Sequence, residues 1–117
     1  MPYMLLVVEK AGDRAARSER EGQVLYDRMR RFSADLKQRG LLTMSQSLKT
    51  DEAGVRVTRQ GERLTLRDGP FVEAKEMIGG FFLLACETRE QALDIARACP
   101  AAEWATIEVR ELGPCFE

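Results

Sequence analysis

Residues 77–86, MIGGFFLLAC, form the most apolar stretch of the chain, and two adjacent glycines interrupt it. A continuous apolar run of this length is typical of a β-strand that is covered on both faces. Gly79 and Gly80 inside such a strand predict a β-bulge or a close approach of another backbone or of a ligand. The stretch therefore predicts a central strand with a local irregularity.

Further strands are predicted on either side of this one. Residues 3–8, YMLLVV, are also almost continuously apolar, whereas residues 41–48 and 106–112 alternate apolar and polar side chains. Alternation is typical of a strand at the edge of a sheet, where one face is wet. Residues 55–67 predict a β-hairpin, because two short β-prone runs flank a loop that contains Gly61.

Two amphipathic helices complete the pattern. Ser18 stands three residues before Glu21, which is the spacing of a capping box at the start of a helix. The apolar residues behind it recur with a helical period up to a stop at Gly40; they are Leu25, Met29, Phe32 and Leu36. A second helix is predicted from Thr88 to a stop at Pro100.

The resulting order is β-α-β, a hairpin, then β-α-β. It predicts an α+β fold of the ferredoxin-like type, βαββαβ with an inserted β-hairpin, in which two helices cover one face of an antiparallel sheet. With 117 residues the chain has the common size of one domain, so we expect a single domain over residues 1–117. The uncovered face would carry either Tyr3, Leu5 and Val7 or the residues that alternate with them. Such a face is too apolar to stay wet, and we expect a two-fold homodimer to cover it.

Composition excludes several classes of partner. The net charge of −1 creates no field that attracts polyanions, so we expect no nucleic acid and no membrane partner. The chain has no His, and no two of its three cysteines stand in a Cys-x-x-Cys motif. We therefore expect no metal and no cofactor. Cys86 and Cys99 lie among apolar residues, which predicts burial and a raised thiol pKa. The amino terminus lacks the features of a signal peptide, and we expect a cytoplasmic protein.

The stretch RDGPFVEAKEMIGGFFLL, residues 67–84, closely resembles the signature of the DGPF-motif branch of the YCII-related family. The resemblance extends from MLLV at residues 4–7 to CPAAEWATIEVREL at residues 99–112. It implies a ferredoxin-like fold and membership of the dimeric α/β-barrel group, in which two sheets face each other. Better-known YCII-like members look as though they use a His–Asp pair for acid/base chemistry. Without His, this chain cannot use that pair.

A charged run stands directly before the central strand and supplies the candidate site. We predict that five residues form a ligand-binding cleft in which Phe82 is the apolar floor: Asp68, Glu73, Lys75, Glu76 and Phe82. Asp68 and Glu73 are also the candidate catalytic groups, since a desolvated carboxylate can act as a general base.

Simpler explanations of the same residues stay open. Asp68, Gly69 and Pro70 can serve only as a turn, in which Gly69 would supply a positive φ. The charges can instead form ion pairs with Arg56 or Arg67, with no cavity beside them.

Two functions of different classes follow. The first is a homodimer whose cleft binds a small molecule, with weak acid/base activity as an open possibility. The alternative is a non-catalytic regulatory interaction module, because DGPF-type proteins are similar to ones often encoded beside alternative sigma factors.

Overall fold

The computed structural model describes residues 2–117, which contain six β-strands and two α-helices. The strands are β1 (Tyr3–Lys10), β2 (Leu42–Ser47), β3 (Val55–Gln60), β4 (Arg63–Asp68), β5 (Glu76–Leu84) and β6 (Thr106–Glu111). The helices are α1 (Glu19–Gln38) and α2 (Arg89–Ala98), and short 3-10 turns lie at Asp51–Ala53 and Pro100–Glu103. Within residues 2–117, neither helix is both long enough and apolar enough to cross a membrane.

The main sheet has the strand order β2-β5-β1-β6, and each neighbouring pair is antiparallel. The two most apolar strands, β1 and β5, therefore lie in the centre, while β2 and β6 form the edges. Their apolar composition fits this position, because a central strand is flanked by another strand on each side and has no edge open to water. Strands β3 and β4 pair only with each other, as a separate hairpin. The predicted ferredoxin-like α+β fold with an inserted hairpin is confirmed.

Both helices pack on the sheet face that carries Tyr3, Leu5 and Val7. These three side chains join Leu36 of α1 and Ile95 of α2 in one buried core. The alternate residues of β1 are half-buried and point to the uncovered face: Met4, Leu6 and Val8. The uncovered face therefore carries the residues that alternate with Tyr3, Leu5 and Val7, which is the second possibility raised by the sequence.

Helix α1 begins and ends where the sequence predicts. The Ser18 hydroxyl accepts a hydrogen bond from the Glu21 amide at 3.1 Å, and the Glu21 side chain reaches back to Ser18, which completes the capping box. Beyond the last turn, Gly40 has a φ of 72°, and the Leu41 amide donates to the Leu36 carbonyl at 2.9 Å. This geometry satisfies carbonyls that a helix end would otherwise leave free.

The β3–β4 hairpin, here called the arm (residues 55–68), projects from the main body. All its strand residues are exposed. Because of this projection the radius of gyration is 16.1 Å, compared with roughly 13 Å for a compact chain of this length.

The turn after the arm anchors it to the rest of the chain. The Gly69 amide donates to the Gly54 carbonyl at 2.8 Å, and the Phe71 amide donates to the Asp51 carboxylate at 3.2 Å. Phe71 itself is buried. The expected positive φ of Gly69 is wrong; a glycine is required because a Cβ there would lie 1.7 Å from the Asp51 carbonyl oxygen. Close packing, and not backbone handedness, therefore selects this residue.

The buried stripe of α1 gives a direct test of the fold. Leu36 is 1% exposed, so Leu36→Ala should lower the free energy of unfolding by about 2–5 kcal/mol. Gln38→Ala, on the exposed side of the same turn, should change it by less than about 0.5 kcal/mol. Urea denaturation followed by circular dichroism measures both, and equal losses would contradict the orientation of α1.

Candidate functional site

The structure does not gather the five predicted site residues around one cavity. Asp68, Glu73 and Lys75 are exposed near the root of the arm. Glu76 lines a groove of about 710 Å³ beside that root, on the uncovered side of the main sheet. Phe82 is buried on the opposite side, under α1. The predicted cleft with Phe82 as its floor is therefore wrong as a geometric arrangement, while ligand binding by the individual residues stays a prediction.

A β-bulge explains why Glu76 and Phe82 lie on opposite sides of the sheet. In β5, Gly80 pairs with Val7 and Ile78 pairs with Val8, so Gly79 is the extra residue between them. The predicted bulge is confirmed. An extra residue reverses the alternation of side chains along the strand. Positions before the bulge that would otherwise share a face with Phe82 therefore point to the other side of the sheet.

Glu73 forms the ion pairs that the sequence analysis gave as the alternative to a cleft. Its carboxylate bonds to Arg67 and lies 3.3 Å from Arg56. Both guanidinium groups also stack on Phe71, at 3.9 and 5.2 Å from the ring centre. The pKa of Glu73 is held below its ordinary value, because its own backbone N–H and then Arg67 donate to the carboxylate. A carboxylate held ionised in this way is a weaker general base.

Phe82 instead lines a cleft of about 490 Å³ between α1 and the main sheet. This volume is in the range of small-molecule sites. The cleft exists because small residues face each other across it: Gly22 and Ser33 from α1, and Ser45, Ser47 and Gly80 from the sheet. The space beside Gly22 is open, since an added Cβ would have no atom within 4 Å.

The inner wall of the cleft is apolar and its rim is polar. Val7, Leu25, Met29 and Phe82 supply the apolar surface. The rim has two aromatic residues, Tyr26 and Trp104, two arginines, Arg17 and Arg30, and one carboxylate, Glu19. The hydroxyls of Ser33 and Ser45 are 2.9 Å apart and connect α1 to β2. Such a site can hold a molecule with an apolar body and a polar end.

An ion pair between Glu9 and Arg14 closes one end of the cleft. Glu9 is 6% exposed, and its two oxygens accept from Arg14 Nε at 2.9 Å and from the terminal guanidinium nitrogen at 2.7 Å. The same guanidinium donates to the carbonyls of Leu48 at 2.7 Å and Gly79 at 3.0 Å. Because these bonds engage both carboxylate oxygens, the pair fixes the shape of this end of the cleft.

Reasoning from the sequence missed this pair, although a signal was present. Tyr3, Leu5, Val7 and Glu9 continue one inward-facing alternation along β1, which places a carboxylate in a buried position. A buried carboxylate requires a cationic or hydrogen-bonding partner. The identity of that partner, Arg14 in the following loop, has no comparable periodic signal.

Comparison with known proteins gives the affiliation of the chain. A model of the YCII-related domain matches residues 1–115. The chain belongs to the YCII-related family. It is also similar to the uncharacterized protein R00369 of Rhizobium meliloti (strain 1021), with 44% identity over 55 residues. That alignment covers 45% of this chain and 44% of the relative, less than half of each.

The cysteines of this YCII-related chain lie outside the lining of the cleft. Cys86 and Cys99 are buried, and burial raises the pKa of both thiols, as predicted. Cys115 is exposed near the carboxyl terminus. A thiol with a raised pKa is a poor nucleophile at neutral pH. The two buried cysteines therefore behave as small apolar core residues.

Gly79 tests how the Glu9–Arg14 pair is accommodated. A Cβ at this position would lie 1.5 Å from Glu9 Oε2 and 2.8 Å from an Arg14 nitrogen. Gly79→Ala should therefore displace the ion pair and lower the free energy of unfolding by about 1–3 kcal/mol. Gly113→Ala is the matched control, because its Cβ would meet only the end of Glu117 at 3.6 Å. Urea denaturation of both variants measures the difference, and an unchanged Gly79→Ala midpoint would refute the steric account.

Proposed function

We propose that this protein belongs to the DGPF-motif branch of the family and is a homodimer that binds a small anionic molecule with an apolar body. The proposed binding site is the cleft between α1 and the main sheet. The observation that carries the proposal is the facing set of small residues, which leaves an open volume against an apolar wall with arginines at its rim. An apolar wall with a few polar groups at the rim is typical of small-molecule sites.

The charges around the cleft support an anionic group on the ligand. Arg14 is already neutralised by Glu9. Arg17 forms no ion pair with any of residues 2–117 within 4.0 Å, and Arg30 reaches only Asp27, at 3.5 Å. A carboxylate at the rim would therefore find in Arg17 a guanidinium that is free to bind it in a bidentate manner. The apolar part of the ligand would then lie against the buried wall.

The proposal is one of binding, with catalysis kept as a separate prediction. No His is present, Glu9 is bonded to Arg14, and Glu73 is bonded to arginines of the arm. Catalysis by Asp68 or Glu73, as predicted from the sequence, would require a substrate at the root of the arm. That root lies beside the groove of about 710 Å³, whereas the cleft under α1 is on the other side of the main sheet.

Gly22 offers a test of the binding site with a matched control. Gly22→Phe places a ring in the open space beside α1 and should abolish binding, whereas Gly22→Ala adds one methyl group and should retain it. Both variants should fold, and the alanine should stabilise α1 by about 0.5–1 kcal/mol. Binding is measured by ligand-observed NMR with phenylacetate and hexanoate, and the neutral amide of each acid is measured for comparison.

The acids should bind to the parent protein and to Gly22→Ala more strongly than the amides. Arg17→Ala should remove much of that preference, because a free rim cation is lost. Equal binding to Gly22→Phe would locate the ligand elsewhere. Equal binding of acids and amides would leave a cleft without the proposed selectivity for anions.

The homodimer is proposed from the uncovered face of the main sheet. Leu6 lies opposite Phe81, Met4 opposite Leu83, and Val8 opposite Ile78. Such cross-strand apolar pairs form a continuous patch that a second subunit would remove from water. Packing two sheets through this face would produce the dimeric α/β barrel, with an interface on the order of 1,600 Å².

Leu6→Asp tests this interface. An aspartate in the centre of the patch should convert the dimer to a monomer in analytical ultracentrifugation, because a dimer would bury two unpaired carboxylates. Gln23→Asp, exposed on α1, is the control and should leave the dimer intact. Circular dichroism confirms that each variant is folded. A dimeric Leu6→Asp protein would require a different cover for this face.

A second candidate function is the non-catalytic regulatory module linked to sigma-factor signalling. The arm favours it, because it exposes Val57 and Leu66, at 58% and 62%, as a protein-binding surface would. Purified alternative sigma factor from the same genome should then bind the protein in isothermal titration. Absence of such binding, together with binding of small acids in the cleft, would reject the regulatory candidate.

A further inference from the structure

One face of the arm is apolar and uncovered. Val57 lies opposite Leu66, and Arg59 lies opposite Leu64, so these side chains share a face. The four aliphatic residues of this face, here called the arm face, are between 50% and 62% exposed: Val55, Val57, Leu64 and Leu66. This is a continuous apolar strip, in contrast to the scattered apolar residues of an ordinary surface.

The other face of the arm already has its contacts. Arg56 and Arg67 lie opposite each other there, stack on Phe71 and bind Glu73. A two-stranded hairpin is marginally stable unless one face packs on something. Contacts at the root alone leave the outer half of the arm, from Val57 to Leu66, without packing.

Opposite charges lie at the two ends of the arm face. Asp68 is opposite Val55 at the root, and Arg59 is opposite Leu64 toward the tip. Neither makes an ion pair with another of residues 2–117 within 4.0 Å. When two copies of such a face pack antiparallel about a two-fold axis, Arg59 of each copy lies near Asp68 of the other. Self-complementarity of this kind is what an isologous contact requires.

We infer that the arm face docks against the same face of a second copy of this chain. Four aliphatic residues from each copy form the apolar centre, and two Arg59–Asp68 ion pairs form the ends. These residues are far fewer than the roughly 20–30 residues a side of a stable interface. The arm pair therefore reinforces an assembly that the uncovered sheet face makes, and to that extent the inference rests on the proposed homodimer.

Charge reversal gives a specific test. Arg59→Asp and Asp68→Arg should each weaken self-association at least tenfold, because each places two like-charge pairs in the contact. Arg63→Asp is the matched control: it makes the same change in the arm on the opposite face, where Arg63 pairs with Gln60. Association is measured by fluorescence energy transfer between copies labelled at the exposed Cys115.

The decisive sample is an equal mixture of the two single variants. In a mixed pair the aspartate introduced in one variant meets the arginine introduced in the other, and the native Arg59 meets the native Asp68. Mixed dimers should therefore form at least tenfold more tightly than dimers of either variant alone. The double variant should recover parental association for the same reason. Val57→Ser with Leu66→Ser, which leaves both charged residues and the root unchanged, should weaken association even if Asp68→Arg does not fold.

The outcomes separate this inference from the proposed homodimer. Loss of association in Leu6→Asp without any effect of the arm variants would overturn the arm pair and leave the sheet interface standing. If the mixed charge variants associate and the Leu6→Asp protein is still a dimer, the results would support the arm pair and overturn the sheet interface. A monomeric parent protein, or arm variants that lose only sigma-factor binding, would overturn the arm pair as a contact between copies.

Discussion

The buried ion pair of Glu9 and Arg14 is the interaction on which the cleft depends. Removing a carboxylate from water costs several kcal/mol unless a partner compensates it, so the loop after β1 must bring Arg14 back over the sheet. Once there, the guanidinium also binds the carbonyls of Leu48 and Gly79. A single side chain thus connects the end of β1, the end of β2 and the bulge of β5. Electrostatics sets the position of this end of the cleft, and apolar packing sets the rest.

The bulge at Gly79 is the second constraint, and it meets the first at the Glu9 carboxylate. A side chain at this position would occupy the space of that carboxylate, so the extra residue of the bulge is a glycine. The extra residue directs Ile78 to the uncovered face, while Gly80 stays on the cleft side with Phe82. The main sheet therefore has two distinct surfaces built from the same pair of central strands, one of them with room for a ligand.

The fold could be predicted from the sequence because periodicity encodes it. The apolar run of residues 77–86, the capping box at Ser18 and the stop at Gly40 each specify local structure within a few residues. The site could not be predicted in the same way. Ion pairs of Glu73 with Arg56 or Arg67 could be named only as an alternative to a cleft, because no periodic pattern shows that both arginines stack on Phe71 beside Glu73. The consequence of the bulge depends on which of two glycines is the extra one. Contacts between distant segments and a shift of one residue leave no periodic trace.

The small residues that line the cleft have a consequence for how the family can diversify. Gly22 and Ser33 lie on α1, outside the buried core that Leu36 and Ile95 hold together. Changing their size alters what the cleft admits while the helix keeps its place on the sheet. Residues adjacent in the chain, such as Leu6 and Val7, also serve opposite faces of the sheet. Substitutions can therefore change the cleft and the uncovered face separately, and one scaffold can carry two independently variable surfaces without losing its architecture.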